Sequence, residues 1–119
     1  MSSVLVVDDS EDVRETLSES LHVLGYEVAL ASNGLEALEV LAQDPKPGLI
    51  LLDLLMPVMD GWEFRSRQKK EPSLSDIPTV VITADNNSKL NAQLMGAVQG
   101  LRKPVDWDEL VEVVRKHCK

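Results

Sequence analysis

The chain has 119 residues, a length for one domain with a core of its own, and is 44% hydrophobic and 27% charged like an ordinary globular protein. Its net charge of −8 repels polyanions, so no direct binding to nucleic acid or to an anionic membrane is expected. The single cysteine, Cys118, cannot form an intramolecular disulfide and reads as a frayed, exposed thiol. With no signal-peptide pattern and no apolar run near the roughly 18 residues of a membrane span, the reducing cytoplasm is the expected compartment.

Val4–Val7 is an aliphatic run closed by Asp8 and Asp9 and reads as a buried strand. Val13, Leu17, Leu21 and Leu24 then mark one face of a helix, with Asp9 or Ser10 as N-cap and Gly25 at its end. Tyr26–Ala31 is a second strand. Asn33 caps a helix carrying Leu35, Leu38 and Leu41, broken by Pro45 and Pro47. Leu49–Asp53 is a third strand, and a weakly amphipathic helix with Trp62 and Phe64 follows Asp60-Gly61. Pro78–Thr83 is a fourth strand, and Ser88–Met95 a short helix with Leu90 and Leu94 one turn apart. Gly100–Lys103 is a fifth strand. A last helix from Asp106 carries Leu110, Val113 and Val114, with Trp107 as its anchor. No repeat or linker divides residues 1–119, which read as a single domain.

Strand–helix units in series predict an α/β fold: a doubly wound parallel sheet with helices on both faces. Ligands of such sheets bind beyond the carboxyl ends of the strands. There the sequence places Asp8-Asp9, Asp53, Thr83 and Lys103-Pro104, while the second strand ends quietly in Ala31-Ser32. Each has a structural alternative: aspartates cap helices, threonines close strands, and Lys103 is a natural salt-bridge partner for Asp53. Asp53 stands apart, because a buried apolar run delivers it and acids are rarely buried unpaired. The joint placement argues for function. Clustered carboxylates need a cation or retained protons, and hard oxygen donors suit Mg²⁺. An aspartate beside such a cation can act as nucleophile and form an acyl phosphate, with Lys103 and Thr83 placed to stabilise the phosphoryl charge.

The pair Asp8-Asp9, the segment LLDLLMPVMDG around Asp53, Thr83-Ala84 and Lys103-Pro104 together resemble the receiver domain of bacterial two-component response regulators. That resemblance implies a CheY-like, flavodoxin-like (βα)5 fold of strand order 2-1-3-4-5. It implies that Asp53 accepts phosphate from a sensor histidine kinase or phosphotransfer protein. By the same resemblance Asp9 binds Mg²⁺ directly and Asp8 through water, the Leu55 carbonyl is another ligand, and Lys103–Pro104 is cis. Thr83 and Lys103 bond the phosphoryl oxygens. The domain would be a switch that promotes its own phosphorylation and hydrolysis rather than a turnover enzyme. Its output would be docking on a downstream protein or an attached output domain.

One departure stands out. The family pattern Tyr-Leu-x-Lys-Pro has an aromatic where this chain has Gly100, so no ring can swing inward when the threonine moves. Thr83 and the loop Asp85–Ser88 are expected to carry the change instead. His22 and His117 are not expected to do chemistry, and Met56 and Met59 read as loop packing. Two other functions compete. A phosphohydrolase using Asp53 lacks the general acid two residues later, where Leu55 stands. A receiver-like binding module that never needs phosphate is suggested by the missing aromatic, and opposed by the retained Asp8, Asp9, Asp53, Thr83 and Lys103.

Overall fold

The computed structural model describes residues 2–118, in which strands and helices alternate. They are β1 Ser3–Val7, α1 Glu11–Val23, β2 Glu27–Ala31, α2 Gly34–Leu41 and β3 Leu49–Asp53. Then come α3 Gly61–Lys70, β4 Thr79–Thr83, α4 Ser88–Leu94, β5 Gln99–Arg102 and α5 Trp107–His117. The strands form one parallel sheet in the order β2-β1-β3-β4-β5. This is the (βα)5 architecture that the sequence predicts.

Strand alternation splits the core in two. Val4, Val6, Leu49, Leu51 and Ile82 face Leu17 and Leu21 of α1 and Leu110, Val113 and Val114 of α5. Leu5, Val7, Ile50 and Leu52 face Ala37 and Leu41 of α2 and Phe64 of α3. Because both faces are covered, β3 and β4 are buried at every residue, which is why they read as unbroken apolar runs. Caps define the helix starts: Ser10, Asn33, Asp60 and Asp106 each accept a backbone N–H with the side chain.

The structure corrects several expectations. In α2 the buried face is Gly34, Ala37 and Leu41, and Leu35 is exposed. In α4 the expected leucine face points outward: Leu90 and Leu94 are 51% and 67% exposed, while Ser88 and Ala92 are buried. The reason lies in β5. Gly100 lets α4 lie directly on the sheet, so that a Cβ there would run into the Ser88 carbonyl oxygen and stand 3.3 Å from the Ala92 Cβ. Only small residues fit that face. β5 itself starts and ends one residue earlier than expected, leaving Lys103 just beyond it. Trp107 does not anchor α5, since its side chain is 45% exposed and Leu110, Val113 and Val114 are buried instead. Cys118 is not a frayed, exposed thiol: it packs partly buried against the α1–α5 core, with Sγ 3.8 Å from the Ser3 carbonyl, and burial pushes its pKa up.

α3 is weakly amphipathic because its buried face, beside Phe64, includes the polar Arg65 and Gln68. Arg65 donates through Nε to the Met95 carbonyl (3.1 Å) and through Nη2 to the Gly96 carbonyl (2.7 Å). Its Nη1 reaches Gln68 Oε1 (2.8 Å) and Thr79 Oγ1 (3.3 Å). Gln68 in turn donates to the Leu74 and Ile77 carbonyls. A guanidinium thus satisfies the carbonyls that follow α4, ones the helix leaves open. Arg65→Ala is expected to lose about 2–3 kcal/mol of stability in urea unfolding, because it strands buried carbonyls. Gly100→Ala is expected to cost about 1–3 kcal/mol by overpacking, whereas Leu94→Ala stays within about 0.5 kcal/mol.

Candidate functional site

The parallel register brings the strand ends together: Val7 lies opposite Leu52, Asp53 opposite Ile82 and Thr83 opposite Arg102. Asp8, Asp53, Thr83 and Lys103 therefore share one edge, and Asp8, Asp9 and Asp53 each present a carboxylate oxygen within 4.8 Å of the others. Asp8, Asp9, Asp53 and Lys103 meet there, with Thr83 at the end of the adjoining strand β4.

Asp8 is held on several sides. Its N–H donates to the Ala31 carbonyl (3.1 Å), its Oδ1 accepts from Ser10 N–H (2.9 Å), and its carbonyl accepts from Arg14 Nη1 (2.7 Å). Ser10, not Asp9, caps α1, accepting the Val13 N–H at 3.3 Å, so Asp9 has no part in the cap and is exposed at the site. Asp8 Oδ2 is buried and accepts no hydrogen bond among the described residues. Lys103 Nζ stands 2.7 Å from it, an ion-pair contact of hydrogen-bond length that misses hydrogen-bond angles. The same ammonium is 3.4 Å from Asp53 Oδ2. Lys103 thus bridges both acids and lies closer to Asp8 than to the Asp53 that the sequence reading paired with it. Its backbone N–H donates to the Thr83 carbonyl (2.8 Å), and Lys103–Pro104 is cis, as is Asp44–Pro45.

Electrostatics follow from this packing. Burial pushes the Asp53 pKa up and the neighbouring Asp8 charge adds to it, against the pull of Lys103 and of the Leu55 N–H, leaving it at about 6. Burial alone would lower the Lys103 pKa, but the close ion pair with Asp8 and the charge of Asp53 hold it above its ordinary value. Thr83 is buried, and its Oγ1 accepts the Asp85 N–H (3.2 Å) while Asp85 Oδ1 accepts the Asn87 N–H (2.9 Å).

The loop after β3 is tightly built. Val58 sits at φ 69°, with Met59 N–H bonded to the Pro57 carbonyl at 2.7 Å, a three-residue γ-turn that a β-branched residue rarely adopts. The turn buries Met59 and half-buries Met56, the packing role expected of both. Gly61 lets α3 start against the site, for a Cβ there would stand 2.5 Å from the Asp53 carbonyl oxygen. Leu55 lies in this loop with its side chain 75% exposed. His22 is exposed on α1, and His117 contacts Gln99 (3.3 Å), the first residue of β5, at the opposite end from Lys103. Sequence reasoning missed Arg14, whose signal was a cation one turn into the helix that follows the aspartates.

The response regulator receiver domain model matches residues 4–115. Response regulator MprA of Mycobacterium ulcerans is 44% identical over 114 residues, covering 94% of this chain and 48% of that protein. Its Mycobacterium leprae counterpart is 43% identical, with 94% and 49% covered. The chain belongs to the response regulator receiver family. Vibrio cholerae chemotaxis protein CheY4 superposes with a TM-score of 0.88 at 31% identity, over 98% of both chains. Response regulator TrrA of Thermotoga maritima, crystallised in complex with Mg²⁺-BeF, gives 0.85 at 33% identity, again over 98% of both. This receiver spans about half the length of the curated relatives it matches. Among its described residues no helix is long and apolar enough to cross a membrane.

Because Asp53 binds its proton more tightly folded than unfolded, between pH 4 and 6 the native state holds the extra proton. Stability therefore falls as pH rises through that window, by about 3 kcal/mol at most. In divalent-free buffer, carboxyl ¹³C shifts are expected to show Asp53 titrating near 6. Asp8→Asn is expected to lower that midpoint, and Asp53→Asn to flatten the stability loss.

Proposed function

We propose that residues 1–119 form a single receiver domain that accepts a phosphoryl group on Asp53 and acts as a Mg²⁺-dependent signalling switch. The observation that carries this is the meeting of Asp8, Asp9 and Asp53 carboxylates within 4.8 Å, with the Lys103 ammonium bridging Asp8 and Asp53. The donors at Asp53, the fully buried Asp8 with its Oδ2 short of a hydrogen bond, and the exposed Asp9 are all hard oxygens, and they fit Mg²⁺. Asp8, Asp9, Asp53 and the Leu55 carbonyl would hold it. When bound, it neutralises these carboxylates and the charge of the transferring phosphoryl group. The Mg²⁺-BeF complex of TrrA supports the same assignment here.

The chain's own groups then do the following. Asp53, ionised above its pKa, directs an oxygen at the phosphorus of a phosphohistidine on a sensor histidine kinase or phosphotransfer protein. An O–P bond forms, the P–N bond breaks, and the departing imidazole takes up a proton. Lys103, already charged beside Asp53, and the Thr83 hydroxyl stabilise the equatorial oxygens. Water later cleaves the acyl phosphate, so the domain returns to its start as a switch and not as a turnover enzyme. Its partners are that kinase and a downstream protein or output domain, in the cytoplasm, without direct contact to nucleic acid or membrane.

A phosphate-independent binding module is the second reading, favoured by one observation: Gly100 and Ser88 are in such close contact that no switch aromatic fits between β5 and α4.

A small acyl phosphate or phosphoramidate plus Mg²⁺ is expected to add one phosphoryl group by mass spectrometry. Asp53→Asn should abolish it, Lys103→Ala should slow it about 10²-fold, and chelation should stop it. Backbone amide shifts with beryllofluoride and Mg²⁺ should change at Thr83 and Asp85–Ser88. Equal labelling of Asp53→Asn, or no beryllofluoride response at saturation, would sink the switch in favour of the binding module.

A further inference from the structure

The groove between α3 and α4 is unlike the rest of this acidic molecule. It encloses about 370 Å³ and is lined by Trp62, Arg65, Lys69, Lys70, Leu94 and Met95, together with Ser66. No acid lines it. α3 and α4 carry Arg65, Arg67, Lys69, Lys70 and Lys89, five of the chain's twelve cations, against the single acid Glu63, which pairs with Arg67. Arg65 is buried and spent on the Met95 and Gly96 carbonyls, so the available charge belongs to the exposed Lys69 and Lys70. The apolar part is exposed as well: Trp62 is 40% and Leu94 67% open to solvent, with Leu90 at 51% one turn before Leu94.

An outward leucine pair on a helix whose inner face is small residues is surface left for something else to cover. We infer that the α3–α4 groove docks an acidic, amphipathic segment of a partner protein. Its aliphatic or aromatic side chains would seat between Trp62 and Leu94, and its carboxylates would pair with Lys69 and Lys70. Charge complementarity selects this occupant. The local positive field acts within a Debye length, about 8 Å at physiological ionic strength, so a short acidic segment feels the lysines and little else. A nucleic acid or an anionic membrane extends well beyond the groove and meets the net charge of −8. A second copy of the chain, equally acidic, is repelled in the same way.

The test is an amide NMR titration of the full chain with a synthetic helical peptide that places Leu and Phe on one face and Glu on the other. Shift changes centred on Trp62, Lys69, Lys70 and Leu94, weakening as salt rises, are expected. Lys69→Glu with Lys70→Glu, and separately Leu94→Ser, should each weaken binding about tenfold. All three positions are exposed, so these variants should fold and should still accept phosphoryl groups at Asp53, which keeps this test separate from that of the switch. The inference is overturned by shifts that map elsewhere or are absent. It is overturned equally if a peptide with Lys in place of Glu binds as well, or if short duplex DNA, phosphatidylglycerol vesicles or self-association perturb the groove more strongly than the acidic peptide.

Discussion

Three carboxylates forced against one another at a sheet edge, with one ammonium between two of them, are the constraint on which this structure turns. Burial at this edge, with the neighbouring Asp8 charge, pushes the Asp53 pKa up. What holds them there is not attraction but register. β1 and β3 are fixed by buried aliphatic side chains on both faces, and a one-residue slip would turn those side chains to the wrong layer. The hydrophobic core thus confines the acids, and Lys103 offsets only part of the repulsion. The remaining excess of negative charge, carried on hard oxygens, suits the edge to a hard cation.

The support around this edge is mostly backbone. Ser10, Ala31 and Arg14 fix Asp8 through its main chain and one carboxylate oxygen, leaving the second oxygen to the site. Gly61 lets the first turn of α3 press on the Asp53 carbonyl, and the γ-turn at Val58 absorbs the strain of turning the chain there. Rigid positioning of this kind lowers the reorganisation a transferring group would otherwise demand.

Much of this was legible in the sequence because the strand ends carry it. Unbroken apolar runs mark strands covered on both faces, and the residue that closes each run lies at the same edge in any parallel sheet. Asp8, Asp53, Thr83 and Lys103 could be grouped on that ground alone. The helices were harder. The Leu90–Leu94 spacing says that two leucines share a face, not which way it points, and that is decided by Gly100 on a strand distant in sequence. The polar run RSRQKK hides a buried face because Arg65 and Gln68 are satisfied by carbonyls just after α4 and in the chain before β4, partners that no local pattern reveals. Cys118 was misjudged for the same reason: its burial comes from β1, at the far end of the chain.

These long-range contacts bear on how a signal would leave the site. α4 is held at both ends, by the Ser88–Gly100 contact at its start and by the Arg65 guanidinium on the carbonyls beyond its end. A ring cannot pass between α4 and β5, so the inward swing of an aromatic is not open to this receiver. The chain of contacts that is open runs through the loop: Thr83 Oγ1 accepts the Asp85 N–H, and Asp85 Oδ1 accepts the Asn87 N–H next to the first turn of α4. That turn has no side-chain cap to anchor it. If Thr83 turns its hydroxyl toward a phosphoryl oxygen, the Asp85 and Asn87 amides must follow or lose their acceptors, and they lie directly before the first turn of α4. Leu90 stands in that turn, exposed, at the edge of the surface that α4 offers to a partner. With no ring at this position, the hydrogen-bonded loop from Thr83 to Asn87 is the connection between the site and the helix whose leucines face outward.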